Sequence, residues 1–111
     1  MDFEKLTKNA KYILGLMYKH YLDNLSEGNS IEDAKSLGDA GQIQETIAPE
    51  YSLADIVTIC RELNREGAIE ALIYDGTIYY ATLTDSTVAY MESRFKKGLL
   101  DVVSFLSQFL P

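Results

Sequence analysis

The 111-residue chain contains one cysteine, one histidine, two prolines and no tryptophan. A single cysteine excludes an internal disulfide and a cysteine-based zinc site, and a single histidine excludes a histidine-rich metal centre. The prolines stand only at positions 49 and 111, so most of the chain is free to be helical. No apolar run approaches the roughly 20 residues that a membrane-spanning helix needs. The opening Met1-Asp2-Phe3-Glu4 lacks the basic-then-apolar layout of a secretory leader, so a cytoplasmic protein is expected. Phosphate loops, metal motifs and nucleophile elbows are missing, as are internal repeats and low-complexity segments. The expectation is therefore no catalytic residue, no metal, no cofactor and no small-molecule substrate.

Positive charge is scarce where it would matter most. Residues 20–85 carry thirteen acids and three bases (Lys35, Arg61 and Arg65), or -10, while the flanks hold seven bases and four acids, or +3; together these give the net -7. From 68 to 83 there is no Lys or Arg at all. Affinity for nucleic acid rests largely on neutralising phosphates with bases, so this distribution argues against a duplex as the main partner; the acidic surface reads as plain solubility, as a docking face for a basic protein, or as a mimic of nucleic acid.

What is present is strong patterning. Leu6, Ala10, Ile13, Leu14, Met17, Tyr21 and Leu25 recur at spacings of three and four, which predicts one amphipathic helix over 3–25. Ser30 reads as the cap of a two-turn helix over 31–37 ended by Gly38, and Asp39 as the cap of another over 40–47, with Ile43 and Ile47 in the core. Ser52-Leu53-Ala54-Asp55 is a further capping pattern. It opens a helix over 52–66 whose buried stripe is Leu53, Ile56, Val57, Cys60 and Leu63. Thr58, Arg61 and Arg65 point elsewhere, the two arginines as a small basic ridge.

Residues 68–74 and 77–83 read as strands joined at Asp75-Gly76, a two-residue hairpin signal because both positions need positive φ. That turn predicts the pairs Tyr74–Thr77, Ile73–Ile78, Leu72–Tyr79, Ala71–Tyr80 and Ile69–Thr82. Alternation then puts Ile69, Ala71, Ile73, Ile78 and Tyr80 on one face and Leu72, Tyr74 and Tyr79 on the other. Thr84 caps a helix over 85–95 with Val88, Met91 and Phe95 inward. A last helix over 99–110 has a wide apolar face of Leu99, Val102, Val103, Leu106, Phe109 and Leu110.

This order resembles the winged-helix superfamily over roughly residues 5–95. The matching features are Leu53, Ile56, Cys60, Leu63, Gly67, Ile69, the Asp75-Gly76 turn, Tyr80, Leu83-Thr84 and Tyr90-Met91. The layout is also similar to small bacterial and phage proteins of the YjcQ type. The resemblance implies a mostly helical α+β fold, a winged helix-turn-helix with a two-stranded wing and an extra C-terminal helix. The domain would be 1–95, and 96–111 would pack on it or on a second protomer. It also implies that 52–66 is the recognition helix and 74–77 the wing tip. Where many winged-helix proteins have a glycine three residues after the threonine of Leu-Thr, this chain has Thr87.

Two functions follow from different classes. The first is a regulatory module working by protein contact through the acidic face, Tyr74 and Tyr79, with the last helix making a homodimer. The second is a DNA-binding transcriptional regulator using Thr58, Arg61 and Arg65, helped by Lys5, Lys8 or Lys11; the charge distribution favours the first. His20 and Cys60 read as ordinary helix and core residues, Glu32-Asp33 as a solvated first turn. The polar face of the last helix has Asp101 and too few bases for a membrane-surface helix.

Overall fold

Helix caps and one tight turn set the frame. The computed structural model describes residues 1–110. Thr7, Ser30, Asp39, Ser52 and Thr84 each accept a hydrogen bond from the backbone three residues on, and each begins a helix. These are α1 (Lys8–Ser26), α2 (Ile31–Lys35), α3 (Ala40–Thr46), α4 (Leu53–Arg65) and α5 (Asp85–Arg94); α6 (Leu99–Ser107) follows Gly98. The strands β1 (Ser36–Gly38), β2 (Ile69–Tyr74) and β3 (Thr77–Leu83) form one antiparallel sheet in the order β1-β3-β2.

Two helix boundaries differ from expectation. Residues 3–25 are not one helix: Phe3–Lys5 is a single 3₁₀ turn and Leu6 is extended. Thr7 interrupts because it is held from outside. The Glu62 carboxylate of α4 accepts both its N–H and its hydroxyl, each at 2.8 Å. Leu6 and Phe3 stay buried, so the apolar stripe survives the break in the helix. The helix expected over 31–37 stops at Lys35, and the next three residues become β1. Ser36 pairs with Thr82 and Gly38 with Ala81, so the expected two-stranded wing is a three-stranded sheet. A three-residue strand has no visible period; it forms because β3 offers an edge and Leu37 can be buried there. Gly38 is at φ 85, and a Cβ there would collide with Gln42, whose side chain returns to the Asp39 N–H in a capping box.

The hairpin turn is of the expected kind, with Asp75 at φ 51 and Gly76 at φ 78. Tyr74 pairs with Thr77 and Ile73 with Ile78 as expected, but a bulge follows, so the remaining pairs are Leu72–Tyr80, Ala71–Ala81, Glu70–Thr82 and Ile69–Leu83. The extra residue on β3 turns Tyr79 and Tyr80 outward together. Tyr80 therefore leaves the inner face, where Ile78, Ala81 and Leu83 are buried. On the edge strand β2, the Ala71 N–H donates to Asn64 Oδ1 at 3.0 Å.

Helix α4 ends in a double turn of hydrogen bonds, Gly67 N–H to the Asn64 carbonyl (3.1 Å) and Ala68 N–H to the Leu63 carbonyl (2.8 Å), with Gly67 at φ 77. Thr87, fully buried, locks this exit to α5. Its hydroxyl donates to the Ala68 carbonyl at 2.8 Å and lies 2.9 Å from Thr84 Oγ1. Thr87→Val keeps the shape and removes the donor, so it should lower stability by about 1–2 kcal/mol, read as a lower urea midpoint at unchanged slope. No change would mean that the bond contributes nothing net.

One core runs through all the layers, from Ile13, Leu14 and Met17 of α1 to Ile56 and Leu63 of α4 and Met91 of α5. Helix α6 packs back on α1 through Val102, Phe105 and Leu106. Gly15 permits this approach: a Cβ there would lie 2.9 Å from Leu106 Cδ2 and 3.0 Å from Phe105 Cε2. Pro111, the end of the expected C-terminal segment, lies outside the described residues.

Candidate interaction surfaces

The outward side of α4 presents Ala54, Thr58, Arg61 and Arg65 at spacings of four, three and four, all exposed, so they form one stripe. The Thr58 hydroxyl is spent on the Ala54 carbonyl at 3.1 Å. Arg61 and Arg65 make no ion pair among the described residues. Glu62, which could have neutralised them, is engaged by Thr7 instead. That same bond ties the stretch between the exposed Lys5 and Lys8 to α4, while Lys11 is paired with Glu4 at 3.4 Å. Leu53, expected in the buried stripe, is 50% exposed. The inward side begins one turn later, at Ile56, and Ile59 joins Cys60 and Leu63 in the core, a position that the spacing analysis passed over.

The hairpin carries the other surface. Leu72, Tyr74, Tyr79 and Tyr80 are exposed by 63, 69, 50 and 48%. Tyr74 and Tyr79 lie across the turn from each other, ring centroids 5.9 Å apart. With each side chain about half open or more the patch is on the order of 400 Å², a size that on soluble monomers often marks a contact surface. Its charged neighbours on the strands and turn are Glu70 and Asp75. Lys35, beside β1, is occupied: it reaches Asp85 at 2.8 Å and Glu32 at 3.4 Å, and the hydrogen bond to Asp85 holds its ammonium above the ordinary lysine range. Tyr80 was assigned to the inner face from alternation. No signal in the pattern places it outside, because both hairpin faces are apolar and either register satisfies the alternation.

On α6, Val102 and Leu106 are turned into the protein's own core and Phe109 is half-buried against Tyr12 and Phe105. Among the residues expected to meet a partner, this is a correction for Val102 and Leu106, which α1 already covers. Leu99, Val103 and Leu110 remain 44, 47 and 65% exposed, and the unanticipated Leu100 is 68% exposed.

The remaining polar candidates have local partners. An open cleft of about 430 Å³ lies between α1, residues 50–51 and the end of the chain. There Tyr12 donates to Glu50 Oε1 at 3.3 Å and Tyr51 to Asn9 Oδ1 at 3.2 Å. Burial, then Glu50, pushes the Tyr12 phenol up. His20 is half-buried beside the Lys19–Asp23 pair; burial lowers its pKa, against the pull of Asp23 and Glu27. Cys60 is fully buried and its thiol is pushed up to about 12 by burial. Among the described residues no three metal-binding side chains converge, and no helix is long and apolar enough to cross a membrane.

Comparison of the chain with protein-family models, with curated proteins and with solved structures finds no match.

Proposed function

We propose that this chain is a winged-helix module that acts without catalysis, as a regulator working through protein contact at the outer face of its hairpin. The winged-helix part rests on element order. A capped helix ends at Gly67, a hairpin follows, Leu83-Thr84 opens the next helix, and β1 pairs with β3 on the side away from β2. The observation that carries the function is the apolar wing: four large side chains at least about half exposed, with no base between 68 and 83. A wing that tracks phosphates needs cations at its tip. This one offers aromatic rings and acids, the composition of a protein-binding centre with a charged rim.

The test is photo-cross-linking in the source cell from a benzophenone amino acid placed at Leu72 or Tyr79, with the exposed Ser93 as the control position. A discrete protein adduct from the two hairpin positions and none from Ser93 is expected. Adducts that do not depend on position would remove the reading.

One observation favours DNA as a second reading: the unpaired Arg61 and Arg65 on the exposed stripe of α4. Two phosphate contacts predict an affinity for fragmented source DNA that falls about 10-fold between about 50 and 200 mM salt and vanishes in Arg61→Ala/Arg65→Ala. That result would displace protein contact as the main function; no binding at the lower salt would leave it in place.

A further inference from the structure

Helix α6 is apolar around more of its circumference than α1 can cover. Val102, Phe105 and Leu106 face α1, while Leu99, Leu100 and Val103, next to them around the helix, and Leu110, just past its end, stay 44–68% exposed. Beside them α1 presents Tyr12 and Leu16, one turn apart and only partly buried. Between the two helices runs an open groove of about 250 Å³. Tyr12, Leu16, Val103 and Leu110 line it, and Lys19 and Ser107 stand at its rim.

We propose that this face is the contact between two copies of the chain, related by a two-fold axis. The exposed side chains of one α6 would seat in the α1/α6 groove of the other. The proposal is independent of what the hairpin binds.

Three observations select a second copy as the occupant. The first is charge. The chain carries -7, so copies repel unless they meet where negative charge is not in surplus. Residues 86–110 hold Arg94, Lys96 and Lys97 against Glu92 and Asp101, or +1. Lys19 at the rim is paired with Asp23 at 2.9 Å, and Asp101, elsewhere on α6, accepts the Lys97 N–H at 3.0 Å. By contrast, residues 66–85 hold Glu66, Glu70, Asp75 and Asp85 and no base. Self-pairing through the hairpin would gather eight acids.

The second observation is self-complementarity. A two-fold contact requires one patch to supply both projection and recess, and here the same two helices supply both. Antiparallel α6 helices would also bring Lys96 and Lys97 of one copy toward the C-terminal carbonyls of the other, where positive charge is favoured. The third is area. Four side chains exposed to this degree offer on the order of 400 Å² of apolar surface. That is about half of the roughly 800 Å² that each partner contributes to a stable interface, and interfaces are about that apolar.

Sedimentation equilibrium of the full chain from about 1 to 200 μM should give a species of twice the 12.5 kDa chain mass. Val103→Glu should raise the dimer dissociation constant by about 100-fold, because it buries an unpaired charge at the contact. Leu100→Ser, which adds no charge, should raise it by about 10-fold. Both sites are exposed in the single chain, so the circular dichroism spectrum should stay as in the parent, and melting should match the parent's at dilutions where the parent is itself monomeric. Tyr79→Glu should leave the dimer unchanged. A monomer at every concentration overturns the proposal, and so does a dimer broken by Tyr79→Glu but not by Val103→Glu. Flotation with vesicles containing about one-third anionic lipid covers the remaining occupant. Recovery of the chain with vesicles that is lost in Val103→Glu would assign the face to a lipid surface instead.

Discussion

Phe105→Ala should destabilise the protein by about 3–4 kcal/mol and lower its melting temperature by about 15–20 °C. The ring is 8% exposed and lies 5.4 Å from Phe95, 5.2 Å from Phe109 and 6.0 Å from Phe3, centroid to centroid. The Arg94 guanidinium stands 5.5 Å from its centre. Truncation removes the transfer energy of the ring, the aromatic pairs around it and one of the two side chains that reach Gly15. The neighbours come from the 3₁₀ turn, α1, α5 and the chain end, four separate segments, so they cannot close the cavity by one shift. Phe105→Leu should recover more than half of the loss. Thermal melts of the three proteins decide the matter, and a loss below about 1 kcal/mol would mean that α6 is not docked on α1 in solution.

The second large effect is kinetic. Cys60 should react with iodoacetamide about 1000-fold more slowly in the native protein than in urea at pH 8, because the thiolate is the nucleophile. Its pKa is about 12 rather than 9.0, and burial is the cause. The side chain is also out of reach of the reagent, so the ratio from ionisation alone is a lower bound. A native rate within 10-fold of the unfolded one would mean that α4 opens readily.

The same shift couples stability to alkaline pH. The folded thiol keeps its proton after the unfolded one has lost it. This contribution is therefore complete below about pH 9 and falls by about 1.4 kcal/mol per unit as pH rises toward about 12. Tyr18 and Tyr21 add to the trend, since burial raises both phenols as well. Urea midpoints measured from pH 8 to 11 should hold until about pH 9 and decline above it, faster in the parent than in Cys60→Ala.

Short-range chemistry was the legible part of the chain. Caps at Ser30, Asp39, Ser52 and Thr84 and the Asp75-Gly76 turn are each decided within four residues, and each lies where expected. The errors fall where a distant segment intervenes. Thr7 leaves the helix because Glu62, 55 residues away, takes its N–H and hydroxyl. Ser36–Gly38 becomes a strand because β3 is there to pair with it, which nothing between 30 and 38 announces. The bulge at Tyr79 was hidden for another reason: both hairpin faces are apolar, so the pattern did not forbid either register.

For the candidate surfaces, residue type was readable and exposure was not. The absence of bases on the hairpin, and of any charge but Asp101 on the last helix, is plain from composition. Which apolar residues of 99–110 face inward depends on where α1 sits, and α1 can approach only because residue 15 is glycine. Leu99-Leu100 did hold a clue. Adjacent leucines on a helix diverge by about 100°, so a helix docked along one side leaves at least one of them in water.

The hydrogen bond from Ala71 to Asn64 has a consequence for solubility. β2 is an edge strand that ends in the apolar run Ala71-Leu72-Ile73-Tyr74, the kind of segment that recruits a like segment from another molecule and grows into fibrils. Strand addition needs the outward N–H groups free, and the one at the middle of β2 is already taken by an amide from the protein's own helix. The hairpin can therefore display aromatic side chains on its face while its edge is a poor template, which separates recognition by side chains from polymerisation by backbone.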